Sequence, residues 1–273
     1  MTATISSLHV YPVKGLKGID LAEARATERG LEHDRRWMVV DPQGEFLTQR
    51  SRPRMATVWT DLLPGALELS APDAGSVQIP FEPPPATPMR VRVWNSVVDA
   101  IPASRAADWF LSEYLGEPCR LVYMPESTRR ASNPEFAGDG ERLVGFADGY
   151  AYLVANTASL DDLNARLRAK GHPPLPMNRF RPNIVVSGAA PYAEDGWREI
   201  ESGGAKLRAA KPCGRCEVTT TDQATGEVRG PEPLATLGTY RNSDRFGLMF
   251  GLNMVSLRVG TLKAGEALQA SPA

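Results

Sequence analysis

Short alternating apolar runs, each cut off early by proline, glycine or an Asx-rich turn, restrict the fold of this chain more than any other feature. Residues 4–13 (TISSLHVYPV) alternate and are rich in β-branched and aromatic side chains, and residues 36–41 (RWMVVD) form a second short apolar run. The turn chemistry of DPQG at 41–44 leads into EFLTQ, a hairpin signal. Residues 58–63, 67–70 and 77–80 continue as short strands, and 89–99 (MRVRVWNSVVD) reads as a strand pair. EPPPATP at 82–88 is excluded from a sheet centre, because proline has no amide donor. The 23 prolines and 24 glycines are scattered along the chain, which fits many short elements joined by turns. Strands at this spacing predict a barrel or sandwich.

Helices are few. Residues 103–115 place Ala107, Phe110, Leu111 and Tyr114 at helical spacing, with Gly116 as the stop. Residues 159–170 (SLDDLNARLRAK) predict a second helix, with Ser159 as cap, acidic residues in its first turn, basic ones in its last and Gly171 after it. Residues 183–187, 206–210, 217–222, 254–259 and 266–269 read as further strands. The polar stretch 125–142 reads as a flap or a link, and the boundary between two β-rich domains, 1–125 and 126–273, is expected beside it.

Charge narrows the function classes. With 31 Lys+Arg against 32 Asp+Glu, the chain offers no general support for nucleic acid or an anionic membrane as a partner. Three cysteines, an odd number, argue against a disulfide framework and for a reducing compartment. Residues 1–10 lack the basic and apolar regions of a signal peptide, and no run approaches the roughly 20 apolar residues of a membrane span. A soluble, cytoplasmic protein is expected.

Two constellations have chemical potential. Cys213 and Cys216 in KPCGRC form a C-x-x-C, the pattern of half a zinc site, a redox dithiol, or a loop presenting one reactive thiolate between Lys211 and Arg215. Zinc lacks partners at a suitable spacing, since only Cys119 and the dispersed His9, His33 and His172 remain. A dithiol belongs at a helix start, whereas this motif runs into the strand-like EVTTTD. A thiolate there suits a soft metal, and two small buried hydrophobes remain the plain alternative. The second constellation is basic: Lys14-Gly15, Asp34-Arg35-Arg36 and the NRFRPN of 178–183 all sit at strand ends, where loops build sites. Arginine's planar fork and glycine-flanked amides both suit an anion, although any one of these residues taken alone reads as a surface charge.

The residues then carry a resemblance. YPVKGLKG and GLEHDRRWMVVD resemble the N-terminal β-barrel domain of MOSC proteins, and FADGYAYLVANTASLDDLN, NRFRPNIVVSG and KPCGRCEVTTTDQATGEVRGPEPLATLGTYR resemble successive motifs of the MOSC domain, in the family's order. The amidoxime-reducing members and their bacterial relatives share this two-domain layout. The resemblance implies a mainly β, α+β chain, an N-terminal β-barrel domain followed by a MOSC β-barrel domain with a few helices. It implies a Mo–molybdopterin cofactor between the domains, with Cys216 as the metal's protein ligand. Lys14, Gly15 and Arg35 match N-terminal cofactor contacts, Gly15 standing where some relatives have serine. Asp148, Gly149 and Tyr150 match a loop that reaches the cofactor, Arg181 matches a contact to the pterin phosphate, and Asn178 and Thr220 match as neighbours. The implied activity is reduction of small N-hydroxylated compounds to amines, the rival being a non-catalytic cofactor carrier or sulfur relay. Three cysteines cannot complete a four-thiolate cluster, so electrons are expected from a separate flavin, haem or iron–sulfur protein.

Overall fold

A computed structural model of the chain describes residues 2–273; Met1, the first residue of the expected first domain, lies outside the described residues. The chain is mostly strand with few helices, as expected, and its centre is a closed seven-stranded barrel with additional sheets around it. In chain order the barrel strands are β1 (Thr2–Val10), β2 (Tyr152–Asn156), β3 (Ile184–Ser187), β4 (Trp197–Ser202), β5 (Ala205–Gly214), β6 (Gly247–Arg258) and β7 (Ala267–Pro272). Around the barrel they run β2-β3-β1-β7-β4-β5-β6, and the β2–β6 pairing closes the ring. Closure leaves no barrel strand with an open edge.

Period-2 alternation places one face of each strand inside. In β1 the alternation slips by one residue at a bulge between Ile5 and Ser7, so Ile5 and Leu8 are both wholly buried and join Tyr152, Val154, Ile184 and Trp197 in one core. Burying each such side chain contributes roughly 1.5–3 kcal/mol. A cut at 125/126 would remove β1 from this barrel, since its residues 4–8 pair with 184–187 and its residues 2–4 with 267–269. The N-terminal strand therefore belongs structurally to the barrel built by the C-terminal half. Ile19–Leu21 also pairs with β1, and Glu23–Thr27 lies between Gly30–Leu31 and Gly260–Lys263 in a three-stranded sheet; the remaining N-terminal strands form a five-stranded sheet, ordered Met89–Val93, Ser96–Pro102, Arg120–Tyr123, Trp37–Val40 and Val13–Lys14, and a meander of Trp59–Leu63, Ala66–Ala71 and Gly75–Pro80.

Helix α1 (Arg105–Leu115) has the buried face predicted, with Ser104 as cap and Gly116 left-handed at its end. Helix α2 (Thr157–Ala169) starts two residues before the expected Ser159. Asn156 caps it, accepting from the Ala158 amide at 3.1 Å, while Ser159 is buried and donates to Glu194 at 2.8 Å. The expected strand at 217–222 is instead a 3-10 turn, Glu217–Thr220. The Thr219 and Thr220 hydroxyls donate to the carbonyls of Cys216 and Glu217, offering the backbone a local alternative to a sheet ladder. Strands β4 and β2 lie outside the predicted strand set.

Candidate functional site

The ends of these elements converge on one cleft. Its wall includes Lys14, Gly15, Arg35, Asp148, Gly149, Tyr150, Arg181 and Cys216, eight of the ten expected site residues, drawn from five separated stretches of sequence. Asn178 and Thr220 are not on it. Asn178 is exposed in a 3-10 turn, and Thr220 is buried, its carbonyl accepting from Arg179 at 2.8 Å. Arg179 explains both placements: it turns inward to the Thr219 and Thr220 carbonyls and to Asp222 at 3.2 Å, leaving its neighbour Asn178 outside.

Lys14 ends the short strand Val13–Lys14, which pairs in parallel with Trp37–Val40. Gly15 then turns with φ +83°, a conformation that strains any L side chain, and a Cβ there would also press on Met55 at 3.0 Å. The buried Lys14 ammonium bonds Asp148 and lies 5.3 and 5.6 Å from the Phe46 and Trp94 ring centres. Burial pulls the Lys14 pKa down, with Asp148 opposing. The cost of desolvating Asp148 is outweighed by the Lys14 ammonium and by hydrogen bonds from Lys14 and the Trp94 indole (3.0 Å), which hold its carboxyl well below the usual range.

Arg35 and Arg181 share Tyr11. Their guanidinium carbons lie 4.2 and 4.3 Å from its ring centre, and Arg35 Nη2 donates to the Arg181 carbonyl at 3.3 Å. Arg35 Nη1 reaches both oxygens of the buried Asp34 at 2.9 Å. Among the described residues the Arg181 guanidinium hydrogen-bonds to Gln223 (3.2 Å) and the Leu16 carbonyl (2.7 Å) and to no carboxylate, and burial lowers its pKa to about 10. Three cleft residues other than glycine are left-handed: Arg35 at φ +46°, Arg181 at +54° and Trp94 at +55°. Such conformations cost of order 1 kcal/mol or more each and gather at functional sites. Backbone bonds hold Arg35 there, its amide to the Tyr11 carbonyl and its carbonyl to the Phe146 amide.

The two cysteines occupy different situations on the same wall. Cys213, in β5, accepts a hydrogen bond on sulfur from Arg215 Nη1 at 2.9 Å. Cys216 follows in extended backbone and precedes the 3-10 turn; its carbonyl accepts from Thr219, while its sulfur has no hydrogen bond among the described residues. Both are partly buried and free. No group of three or more His, Cys, Asp or Glu able to hold a metal occurs among the described residues.

Sequence reasoning passed over Thr48, Gln49, Arg50, Trp94 and Asn253 as parts of this wall, and it named Asn183, Cys213 and Arg215 without giving them a cofactor contact. Arg215 had been read only as a charge beside the thiols; nothing local marks Arg50, Trp94 or Asn253. It also missed Arg130, which lies in the polar stretch 125–142. Buried there, Arg130 donates to the carbonyls of Gly145 (2.7 Å), Ala147 (2.6 Å) and Asp148 (2.9 Å) and so shapes the 148–150 loop. Counted together, the charged residues of the wall are five cations (Lys14, Arg35, Arg50, Arg181, Arg215) against one carboxylate, in a chain of net charge −1. Among the described residues, Arg50, Arg181 and Arg215 have no carboxylate partner within salt-bridge distance. The arrangement suits an anionic ligand beside a free thiol.

Comparison with known proteins is consistent along the whole chain. Residues 2–118 match the MOSC N-terminal beta barrel domain and residues 141–269 match the MOSC domain. Mitochondrial amidoxime-reducing component 1 of Mus musculus is 34% identical, over 96% of this chain and 81% of the relative. Mitochondrial amidoxime reducing component 2 of Bos taurus is 32% identical over 96% and 82%. The molybdenum cofactor sulfurase of Solanum lycopersicum is 31% identical over 91% of this chain but 32% of the relative.

Proposed function

The chain belongs to the MOSC family, and from that premise we propose that it is a molybdenum-cofactor-dependent reductase of N-hydroxylated compounds, taking electrons from a separate donor protein. The observation that carries the reading is the cleft itself: an excess of four positive charges around a sulfur with no competing hydrogen bond. The residues fit the group. A pterin phosphate is drawn to cations, most strongly to those no carboxylate already neutralises, and among the described residues Arg181 and Arg50 are two such. Space lies open in front of Gly149, where a Cβ would meet no atom within 4 Å. A metal that brings sulfur ligands on its own pterin asks the protein for one soft donor, and Cys216 provides one.

Lys14, Arg35 and Arg181 would hold the anionic end, with Asp148 and Tyr11 keeping Lys14 and the two guanidiniums in place. Cys216 would ligate, and Arg215 would anchor the Cys213–Cys216 loop through Cys213 and the Phe180 carbonyl at 2.7 Å. When bound, the cofactor supplies a two-electron couple, and the protein supplies binding, orientation and electrostatics. The overall conversion takes an N–OH group, two electrons and two protons to N–H and water.

The presence of two thiols on one wall favours a second reading, a cofactor carrier or sulfur relay working through Cys213. One pair of measurements tests both. Protein made in a host that assembles the cofactor is expected to contain about one molybdenum and one releasable pterin per chain and to turn over hydroxylamine with an artificial reductant. Stoichiometric zinc without pterin would overturn both readings; full loading without turnover would leave the carrier.

A further inference from the structure

Beyond the cleft wall lies a cation that the proposed chemistry does not use. Lys211 sits in β5, two residues before Cys213, and is the cross-strand partner of Asn253, which lines the cleft. Directly paired residues project to one face of a sheet, so Lys211 and Asn253 share a side. The Lys211 ammonium lies 5.1 Å from the Phe136 ring centre, 5.7 Å from that of Tyr150 and 6.0 Å from that of Phe246. Tyr150 belongs to the cleft as well. Phe246 is tied to it through Gly214, where a Cβ would strike the Phe246 carbonyl at 2.5 Å. Phe136 and Phe246 meet edge to face at 5.9 Å.

Ring faces attract a cation but accept none of its hydrogen bonds in the way a carboxylate does. Among the described residues Lys211 has no ion pair and no side-chain hydrogen bond, whereas Arg245, over the same Phe136 and Phe246 rings, is paired with Glu135 at 2.7 Å. The aromatic wall thus fixes one uncompensated ammonium at the margin of the cleft and leaves its three donors for something else.

We infer that Lys211 selects substrates by charge: the Phe136–Tyr150–Phe246 wall receives the aromatic or apolar body of an N-hydroxylated compound, and Lys211 favours a body carrying a carboxylate over one carrying an ammonium. The inference rests on the proposed function for what the ligand is, but its test reads binding apart from turnover. The probes are N-hydroxybenzamidine and its para-carboxylate and para-aminomethyl derivatives, with equilibrium dissociation constants measured on the cofactor-loaded full chain. The carboxylate is expected to bind at least about fivefold tighter than the aminomethyl compound, the size of a screened interaction between charges a few ångströms further apart than a contact pair. Lys211→Met should lower that ratio severalfold, to the smaller preference set by the other cleft cations, with the neutral compound little changed, and Lys211→Arg should restore it. If Lys211→Met keeps the full ratio, or the wild-type protein shows none, the inference is overturned. If the ratio drops in Lys211→Met as expected but the wild-type protein reduces none of the probes, Lys211 stands as the charge selector and the reductase reading falls.

Discussion

The cleft between Lys14 and Cys216 and the groove lined by Arg25, Arg29, Arg36 and Arg129 are both rich in arginine, and they differ in what answers it. The groove sets its four arginines among Glu28, Glu32, Asp34, Glu82 and Glu126. Glu126 pairs with Arg29 at 3.4 Å and with Arg36 at 2.5 Å, and Arg25 meets Glu32 at 3.5 Å. The cleft has one carboxylate on its wall, and although Arg35 pairs with Asp34, the guanidiniums of Arg50, Arg181 and Arg215 turn to carbonyls, a thiol, an amide and aromatic faces. Carbonyls and rings orient a cation without cancelling its charge, whereas carboxylates cancel it. A count of basic residues does not distinguish the two concavities; the identity of the partners does.

The most damaging way to probe this contrast is at the sulfur. Cys216→Ser keeps the shape but substitutes a harder, far less acidic donor, and it should abolish reduction of N-hydroxylated substrates even where pterin stays bound. Cys213→Ser should retain substantial activity, because its sulfur is occupied by Arg215. Equal loss in both variants at full cofactor content, in steady-state assays, would favour the relay. An active Cys216→Ser protein would remove the central assignment.

Next in size are the cleft arginines. Arg35→Ala and Arg181→Ala should each lose a charge-assisted contact to the cofactor of about 1.5–3 kcal/mol, read as molybdenum and pterin retained after gel filtration. Arg129→Ala in the groove removes only an exposed, solvent-screened pair with Glu141, and should leave cofactor content untouched. If all three variants retain cofactor alike, the cleft cations do not contact the cofactor and the proposed cradle is wrong.

The smallest effect is in the pH dependence of the Lys14–Asp148 latch. Asp148 has a folded pKa below its ordinary 3.8, so its contribution to stability is present above that value and lost as pH falls through and below it. The difference in Tm between wild type and Asp148→Asn should hold steady from pH 7 to about pH 5 and narrow below about pH 4. A gap that stays constant into acid would mean that the Asp148 carboxylate, open to the cleft, makes no specific bond to Lys14.

Residues whose partners are near in sequence behaved as the sequence suggested. The 89–99 pair became the hairpin Met89–Val93 and Ser96–Pro102, and α1 buried the predicted Ala107, Phe110, Leu111 and Tyr114. Errors arose where a side chain had two uses. Ser159 is a fitting cap by type, yet Glu194, 35 positions away, claims its hydroxyl. The β-branched 219–221 run has strand propensity, yet its hydroxyls close a turn onto Cys216 and Glu217. In the site, eight of the residues carried over from the resemblance line one wall, but Asn178 is left outside because Arg179 beside it turns to partners in the 219–222 segment.

What the sequence determined by itself is the local grammar: strand cadence, helix faces, the turn at Gly15, and the residue types a thiol-and-cation site requires. Those follow from side-chain alternation, capping and glycine's freedom, all set within a few residues. Only the tertiary structure decided that β1 closes a barrel with strands some 150 to 265 positions later, and that Cys216 rather than Cys213 has an unengaged sulfur. It alone also decided that Arg181 faces Tyr11 instead of an acid. The reason is physical: a charge is tuned by whatever lies within a few ångströms of it, and barrel closure, not chain proximity, chooses those neighbours.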